Sequence, residues 1–297
     1  MSLEVDPTTP LTASGNLRRR QVVNRLAEGG ANAAALLAVV VLGIVIASVA
    51  VRGAPALSLD FLIKSPPRFG GPGGGIAPAI IGTAVIVLTA AVIAVPIGVL
   101  VAIFLTELAG PRTAAAVRLA LDLLNGLPSI VIGLFAFGLL VVGNHQSGFA
   151  GAVALAVIMV PLVARAAQEM LVLIPTHLRD AADALGVSRW RTIVGVLLPS
   201  AMGGIATGLV LATARAAGET APLIFTTSIV DNQVHVNPFS QALSNIPVAI
   251  FTLSEQADPS GIQRAWGAGL VLLTFILVAN AAARSLAARS RGKLGAP

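Results

Sequence analysis

The sequence contains no cysteine and no tyrosine, and only 11% of its 297 residues are charged. The absence of cysteine excludes disulfides, thiolate metal sites and cysteine nucleophiles. The low charge excludes an ordinary soluble domain, in which about 25% of residues are charged. A hydrophobic content of 56% excludes a disordered chain.

Several catalytic motifs are also missing. The sequence has no Walker A motif, no HxxEH-type metal motif and no nucleophile elbow. Its three histidines are too scattered along the chain to form a metal site. We therefore expect no ATP hydrolysis by this chain, no other covalent chemistry, and neither a metal nor a cofactor.

Apolar runs of about 20 residues recur along the chain, and a helix of that length crosses a bilayer. The first run is longer than the apolar core of a signal peptide, which has about 7–15 residues, so we expect an uncleaved anchor. The runs predict an all-α polytopic membrane protein with six transmembrane helices. The predicted spans are residues 31–51, 78–105, 123–143, 149–174, 201–226 and 266–283.

The basic residues are unevenly divided between the predicted loops. With the N-terminus in the cytoplasm, 13 of the 19 basic residues lie on the cytoplasmic side and four lie outside. This asymmetry satisfies the positive-inside rule with both termini in the cytoplasm. The net charge of +6 therefore reflects membrane topology, and we expect no nucleic-acid binding.

The predicted cytoplasmic connection 175–200 contains two short helical stretches separated by a glycine. Good helix formers occupy residues 179–185, Gly186 is suited to ending that helix, and Ser188 is suited to capping the next one. Pro199 marks the start of the following span. Such a helix–glycine–helix unit is suited to docking in a groove on another protein.

This connection resembles the EAA loop of the binding-protein-dependent ABC permeases. The matching residues are Asp180, Ala181, Ala182, Leu185, Gly186 and Pro199. In that family the first helix of the loop is the coupling helix, which docks on a cytoplasmic ATPase. The resemblance implies a type I ABC importer permease (MetI-like) fold and gives these residues an ATPase-coupling role. The family's usual first residue is glutamate, and Asp180 is one methylene shorter.

Other stretches resemble the permease subunits of phosphate ABC importers, the PstA type more closely than the sister PstC type. They include residues 76–83 (IAPAIIGT), 126–135 (GLPSIVIGLF) and 215–223 (RAAGETAPL). The resemblance covers about residues 73–284 and implies phosphate import across the bacterial inner membrane. It implies an ATPase subunit, a second permease subunit and an extracytoplasmic phosphate-binding protein as partners. Residues 31–290 then form a single permease domain, with residues 1–30 and 291–297 as cytoplasmic tails.

Two arginines, Arg165 and Arg215, lie within predicted spans. A charge near the centre of a membrane helix costs about 2.5–3.5 kcal/mol, so it normally faces protein or a water-filled path. Glu219 lies four residues after Arg215 and can pair with it, whereas the nearest carboxylate to Arg165 on its own helix is Glu169. An internal ion pair and an anion path both remain open. The resemblance implies that both arginines act in a phosphate path, and we assign Glu219 to the same path. Thr220 offers a hydroxyl donor there, although threonine in a span more often bonds its own backbone.

Two other functions fit part of the sequence. A permease for molybdate, sulfate or phosphonate would carry the same EAA loop. A secondary transporter driven by an ion gradient would use the charges within the spans, although no inverted repeat is apparent.

Gly204 and Gly208 form a GxxxG motif, which we interpret as a helix-packing site rather than a ligand site.

Overall fold

The computed structural model describes residues 16–67, 73–228, 231–256 and 258–294, and these residues form twelve α-helices and no β-strand. The helices are α1 (Asn16–Gly53), α2 (Leu59–Ile63), α3 (Ala77–Ile103), α4 (Pro111–Gly126), α5 (Ser129–Ala136), α6 (Gly148–Val172), α7 (Thr176–Ala184), α8 (Arg189–Thr192), α9 (Leu198–Ala217), α10 (Ala221–Thr226), α11 (Ile246–Ser254) and α12 (Pro259–Leu294). The all-α prediction is confirmed. The chain divides into two units, Met1–Ala50 and Val51–Pro297.

In the first unit, α1 forms a single helix of 38 residues that continues to Gly53. It contains the predicted first span and begins upstream of it, so part of the predicted N-terminal tail is helical. Residues 1–15 of that tail lie outside the described residues. Side chains 17–45 are exposed, including Leu36 and Val39. From residue 31 onwards this helix is apolar on all sides, which suits a membrane span.

In the second unit, four further helices are long and apolar enough to cross a bilayer. Their bounds are Ala77–Leu108, Gly148–Val172, Arg189–Ala217 and Pro259–Ser285. A sixth span results if Pro111–Gly126 and Ser129–Val141, which meet at an angle of 95°, are counted together. With α1, these elements correspond to the six predicted spans.

The predicted bounds of the third span were wrong. Residues 123–143 contain the end of α4, a sharp bend and α5, and the segment before them is a helix rather than a loop. The bend lies at Leu127 and Pro128. Leu127 is extended, with φ −67° and ψ 135°, because the ring of a following proline disfavours the helical conformation.

The predicted fifth span was also wrong in its bounds. The helix runs without a break from Arg189 to Ala217, so Pro199 lies inside it instead of starting it. The π-helical turn Ile193–Leu197 precedes this proline. We attribute the turn to Pro199, which has no N–H and whose ring clashes with the preceding turn of a regular α-helix. The helix then stops, and Gly218–Thr220 separate α9 from α10.

Small residues allow the long helices of the second unit to approach one another closely. A Cβ atom added at Gly208 of α9 would lie 2.3 Å from the Cβ of Ala166 on α6. A Cβ added at Gly98 of α3 would lie 2.8 Å from the Cβ of Val163, also on α6. The GxxxG motif is therefore a packing site, as predicted, and α6 packs closely against both α3 and α9.

Candidate functional site

Two breaks in the membrane helices face each other across a small cavity. One is the bend between α4 and α5, and the other is the gap between α9 and α10. The cavity has a volume of about 100 Å³ and is lined by Leu124, Asn125, Leu127, Ser129, Ile132, Ile158, Arg215 and Glu219. Non-helical backbone is tolerated within a membrane only where it is buried in protein or lines a water-filled cavity. The facing breaks therefore indicate a polar site inside the bundle.

Arg215 lies in the last turn of α9, and Glu219 lies two residues after the helix ends at Ala217. The Nε of Arg215 is 3.8 Å from the Oε1 of Glu219, which is too long for a hydrogen bond. The Arg215 side chain is 57% exposed and that of Glu219 is 20% exposed. Thr220 takes the N-cap position of α10 and is absent from the residues that line the cavity. The predicted Arg215–Glu219 pair is present, but it is loose and leaves the guanidinium accessible.

Arg165 has a different partner from the one considered in the sequence. Its Nη2 donates a hydrogen bond to the Oδ1 of Asp122 on α4, 43 residues away, rather than to Glu169. The Arg165 side chain also lines a groove of about 450 Å³ along one face of α6. Gln168 lines the same groove, and its Oε1 is buried without a hydrogen-bond partner among the described residues. The polar face of α6 therefore borders open space.

Arg165 and Arg215 line separate cavities, and the last turns of α4 connect the two. Asp122 binds Arg165, whereas Asn125, less than one turn later, lines the cavity of Arg215. The sequence analysis gave no role to Asn125 and Ser129, which lie inside the predicted third span, or to Asp122, which lies just before it in a segment treated as a loop. The available signal was their position beside the Gly-Leu-Pro-Ser stretch, where a membrane helix was expected to begin.

The predicted helix–glycine–helix unit is present in α7 and α8. Gly186 follows α7 with a φ of +67°. Its N–H donates to the carbonyl of Asp183 at 3.0 Å, and the N–H of Val187 donates to that of Ala182 at 3.0 Å. This pattern is a Schellman motif, which requires a left-handed residue and favours glycine. Ser188 takes the N-cap position of α8, but its side chain makes no capping hydrogen bond.

The outer surface of this unit is exposed and partly apolar. Leu185 is 82% exposed and Trp190 is 61% exposed. Asp180 and Ala181 are also exposed, whereas Ala182 is buried against the chain itself. Pro199, the last residue of the predicted EAA match, lies in the first turn of α9 and is exposed. Apolar side chains that stay exposed outside the long membrane helices are available for contact with another protein.

Comparison with known proteins decides the family. Residues 94–292 match the family described as "Binding-protein-dependent transport system inner membrane component". The chain belongs to this family. The permease is 38% identical over 285 residues to the phosphate transport system permease protein PstA of Xylella fastidiosa strain 9a5c, covering 94% of this chain and 98% of that protein. It is 40% identical over 223 residues to PstA 1 of Mycobacterium tuberculosis strain H37Rv, covering 73% and 72%.

Solved structures show the same fold. The permease matches the inward-facing MetNI methionine ABC transporter with a TM-score of 0.55 and 18% identity, over 71% of this chain and 94% of that chain. A second crystal form of that transporter matches with a TM-score of 0.52 and 20% identity, over 71% and 94%. The predicted MetI-like fold is confirmed. The permease is thus a multi-pass membrane subunit for transport rather than an enzyme. Its membership of an ABC importer permease family implies an ATPase partner and a second permease chain.

Proposed function

We propose that this chain is the PstA-type permease subunit of an ATP-driven phosphate importer in the bacterial inner membrane. Its partners are a PstB-like ATPase, a PstC-like second permease and an extracytoplasmic PstS-like phosphate-binding protein. Both termini lie in the cytoplasm. Identity of 38–40% with PstA proteins over most of both chains supports phosphate as the substrate.

The observation that carries the pathway proposal is the pair of helix breaks around Arg215 and Glu219. An arginine guanidinium presents a planar fork of donors that suits phosphate oxygens. The N-terminus of α5 begins at Ser129, on the same cavity, and adds partial positive charge. Arg215, with Glu219 and Thr220 beside it, forms one anion-binding site on the path, and Arg165 forms a second. The open groove along α6 leaves room for the second permease to supply the other half.

Coupling to ATP hydrolysis is assigned to α7 and α8. The exposed Asp180, Ala181, Leu185 and Gly186 form the surface that docks on the ATPase, with Ala182 holding α7 against the permease and Pro199 at the root of α9. ATP-driven closure of the ATPase subunits displaces this unit. The displacement rocks the membrane helices against each other, and the phosphate path opens alternately to the two sides.

The test is uptake of labelled phosphate in cells that lack their own phosphate importer. The chain is expressed with its three partner subunits, and matched cultures receive labelled sulfate, molybdate or phosphonate. We expect saturable, ATP-dependent uptake of phosphate and co-purification of the ATPase with the permease. Uptake of another oxyanion without uptake of phosphate would refute phosphate as the substrate and identify that oxyanion instead. Transport that continues without the ATPase would identify a secondary transporter instead.

A further inference from the structure

A single arginine beneath the docking surface joins three segments of the chain. Arg179 immediately precedes Asp180, but it faces the permease rather than the solvent. Its Nη2 donates to the Oε1 of Glu107 at 2.8 Å, and its Nε donates to the same oxygen at 3.2 Å. Glu107 lies 72 residues earlier, in the π-helical turn Phe104–Leu108 that continues α3. The coupling helix is thereby bonded to the end of α3.

The same guanidinium also binds the end of α6. Its Nη1 donates to the carbonyl of Ile174 at 2.9 Å, and its Nη2 donates to the carbonyl of Leu171 at 3.0 Å. Carbonyl groups at the end of a helix have no partner within that helix, and the negative end of the helix dipole attracts a cation. Arg179 therefore attaches α7 to α6 and α3 at once.

Burial distinguishes this ion pair from the others. The Glu107 side chain is 6% exposed and that of Arg179 is 24% exposed. Of the ion pairs formed by the described residues, this one has the most buried carboxylate. A buried carboxylate is costly when its cation is removed. A lysine cannot replace the arginine, since only the guanidinium reaches the carboxylate and both carbonyls together.

The two faces of α7 therefore have different tasks. Leu178 packs with Leu171 and Ile174 in a hydrophobic cluster, and Arg179 lies beside it on the same inward side. The outward side carries the exposed docking residues. Any displacement of the outward side is transmitted to the membrane helices through the contacts of the inward side. Among these contacts, the ion pair of Arg179 with Glu107 is charged. The hydrogen bonds of Arg179 end at the ends of α3 and α6, which supply more than half of the residues of the main core.

We infer that the Arg179–Glu107 pair is a mechanical clamp that fixes the coupling helix to α3 and α6 throughout the transport cycle. This inference rests on the proposed function. Arg179 and Glu107 are positioning residues and do not contact the transported anion. Without the clamp, α7 stays docked on the ATPase but moves independently of the membrane helices. ATP is then hydrolysed without transport.

The test measures phosphate transported per ATP hydrolysed, using the four-subunit complex in proteoliposomes. We compare the wild type with Arg179→Gln, Arg179→Lys and Glu107→Gln, and use the exposed Arg112→Gln on α4 as the control for a lost positive charge. We expect the ratio to fall about tenfold in the three clamp variants, which corresponds to about 1.4 kcal/mol of lost attachment. The control should keep the wild-type ratio. A wild-type complex that transports no phosphate would refute the proposed function, not the clamp.

A second arm uses the absence of cysteine from the chain. In the double variant Glu107→Cys with Arg179→Cys, a flexible thiol crosslinker replaces the ion pair by a covalent link. We expect the uncrosslinked protein to hydrolyse ATP with little transport, and crosslinking of the same sample to restore the ratio. A crosslinked complex that still cannot transport would overturn the clamp. So would a fall in uptake that only follows the amount of assembled complex, at an unchanged ratio in every variant.

Discussion

Replacement of Gly186 tests whether the backbone between α7 and α8 controls coupling. Gly186 has a φ of +67°, and a Cβ atom added there would meet nothing within 4 Å in this chain. The penalty for a side chain is therefore conformational rather than steric. A left-handed residue other than glycine costs about 1–2 kcal/mol, and asparagine tolerates this conformation better than alanine or valine.

A penalty of this size reduces the population of the Schellman turn by a factor of about 5 to 30. We expect phosphate uptake to decrease in the order glycine, Gly186→Asn, Gly186→Ala, Gly186→Val, with all four chains inserted in the membrane. The assay is labelled-phosphate uptake, normalised to the amount of ATPase that co-purifies. Equal loss in all three variants would assign the effect to close approach of the ATPase. Normal uptake and normal ATPase association in Gly186→Val would refute the reasoning.

Three further predictions follow from the helices. Arg165→Gln should abolish phosphate uptake while the complex still assembles, and wild-type uptake would remove this residue from the pathway. Gly208→Val should lower the free energy of unfolding by about 1–3 kcal/mol because it overpacks α6 against α9. Gly269→Val, with no atom within 4 Å of its added Cβ, is the control, and equal thermal unfolding of both variants would contradict the packing argument. Introduced cysteines should be labelled from the cytoplasm at Ser290 and from outside at Ser65, and the reverse pattern would invert the topology.

Local patterns were sufficient for the parts of the fold that depend on nearby residues. Apolar run length predicted α6 closely, with 149–174 expected and Gly148–Val172 observed. The left-handed glycine after α7 followed from the residues around it. The bend at Leu127 and the gap after Ala217 lie inside spans that were predicted as continuous, because a hydrophobic run looks continuous even where proline or glycine interrupts the helix. A Gly-x-x-x-Pro spacing over residues 218–222 was the signal for the second break.

The contacts of the charged residues were not predictable in the same way. A search of positions three or four residues away finds Glu219 for Arg215 but offers only Glu169 for Arg165. The actual partner, Asp122, is 43 residues away, and Glu107 is 72 residues from Arg179. Such pairs depend on how α3, α4 and α6 pack, and a single sequence carries no local trace of that packing.

The central claim is that an arginine beside a helix break meets the transported phosphate. The measurement is ATP-driven accumulation of labelled phosphate in proteoliposomes carrying the complete complex, with Arg215→Gln and with the exchange of Arg215→Glu and Glu219→Arg. The pair is loose, with 3.8 Å between its charged atoms, and its arginine is exposed, so it contributes about 0–1 kcal/mol to stability and both variants should assemble normally. The exchange moves the positive charge by about one helical turn, about 5.4 Å. We predict that Arg215→Gln abolishes accumulation and that the exchange fails to restore it. Full recovery of phosphate accumulation in the exchanged protein would contradict the account and show that Arg215 and Glu219 act only as a structural ion pair.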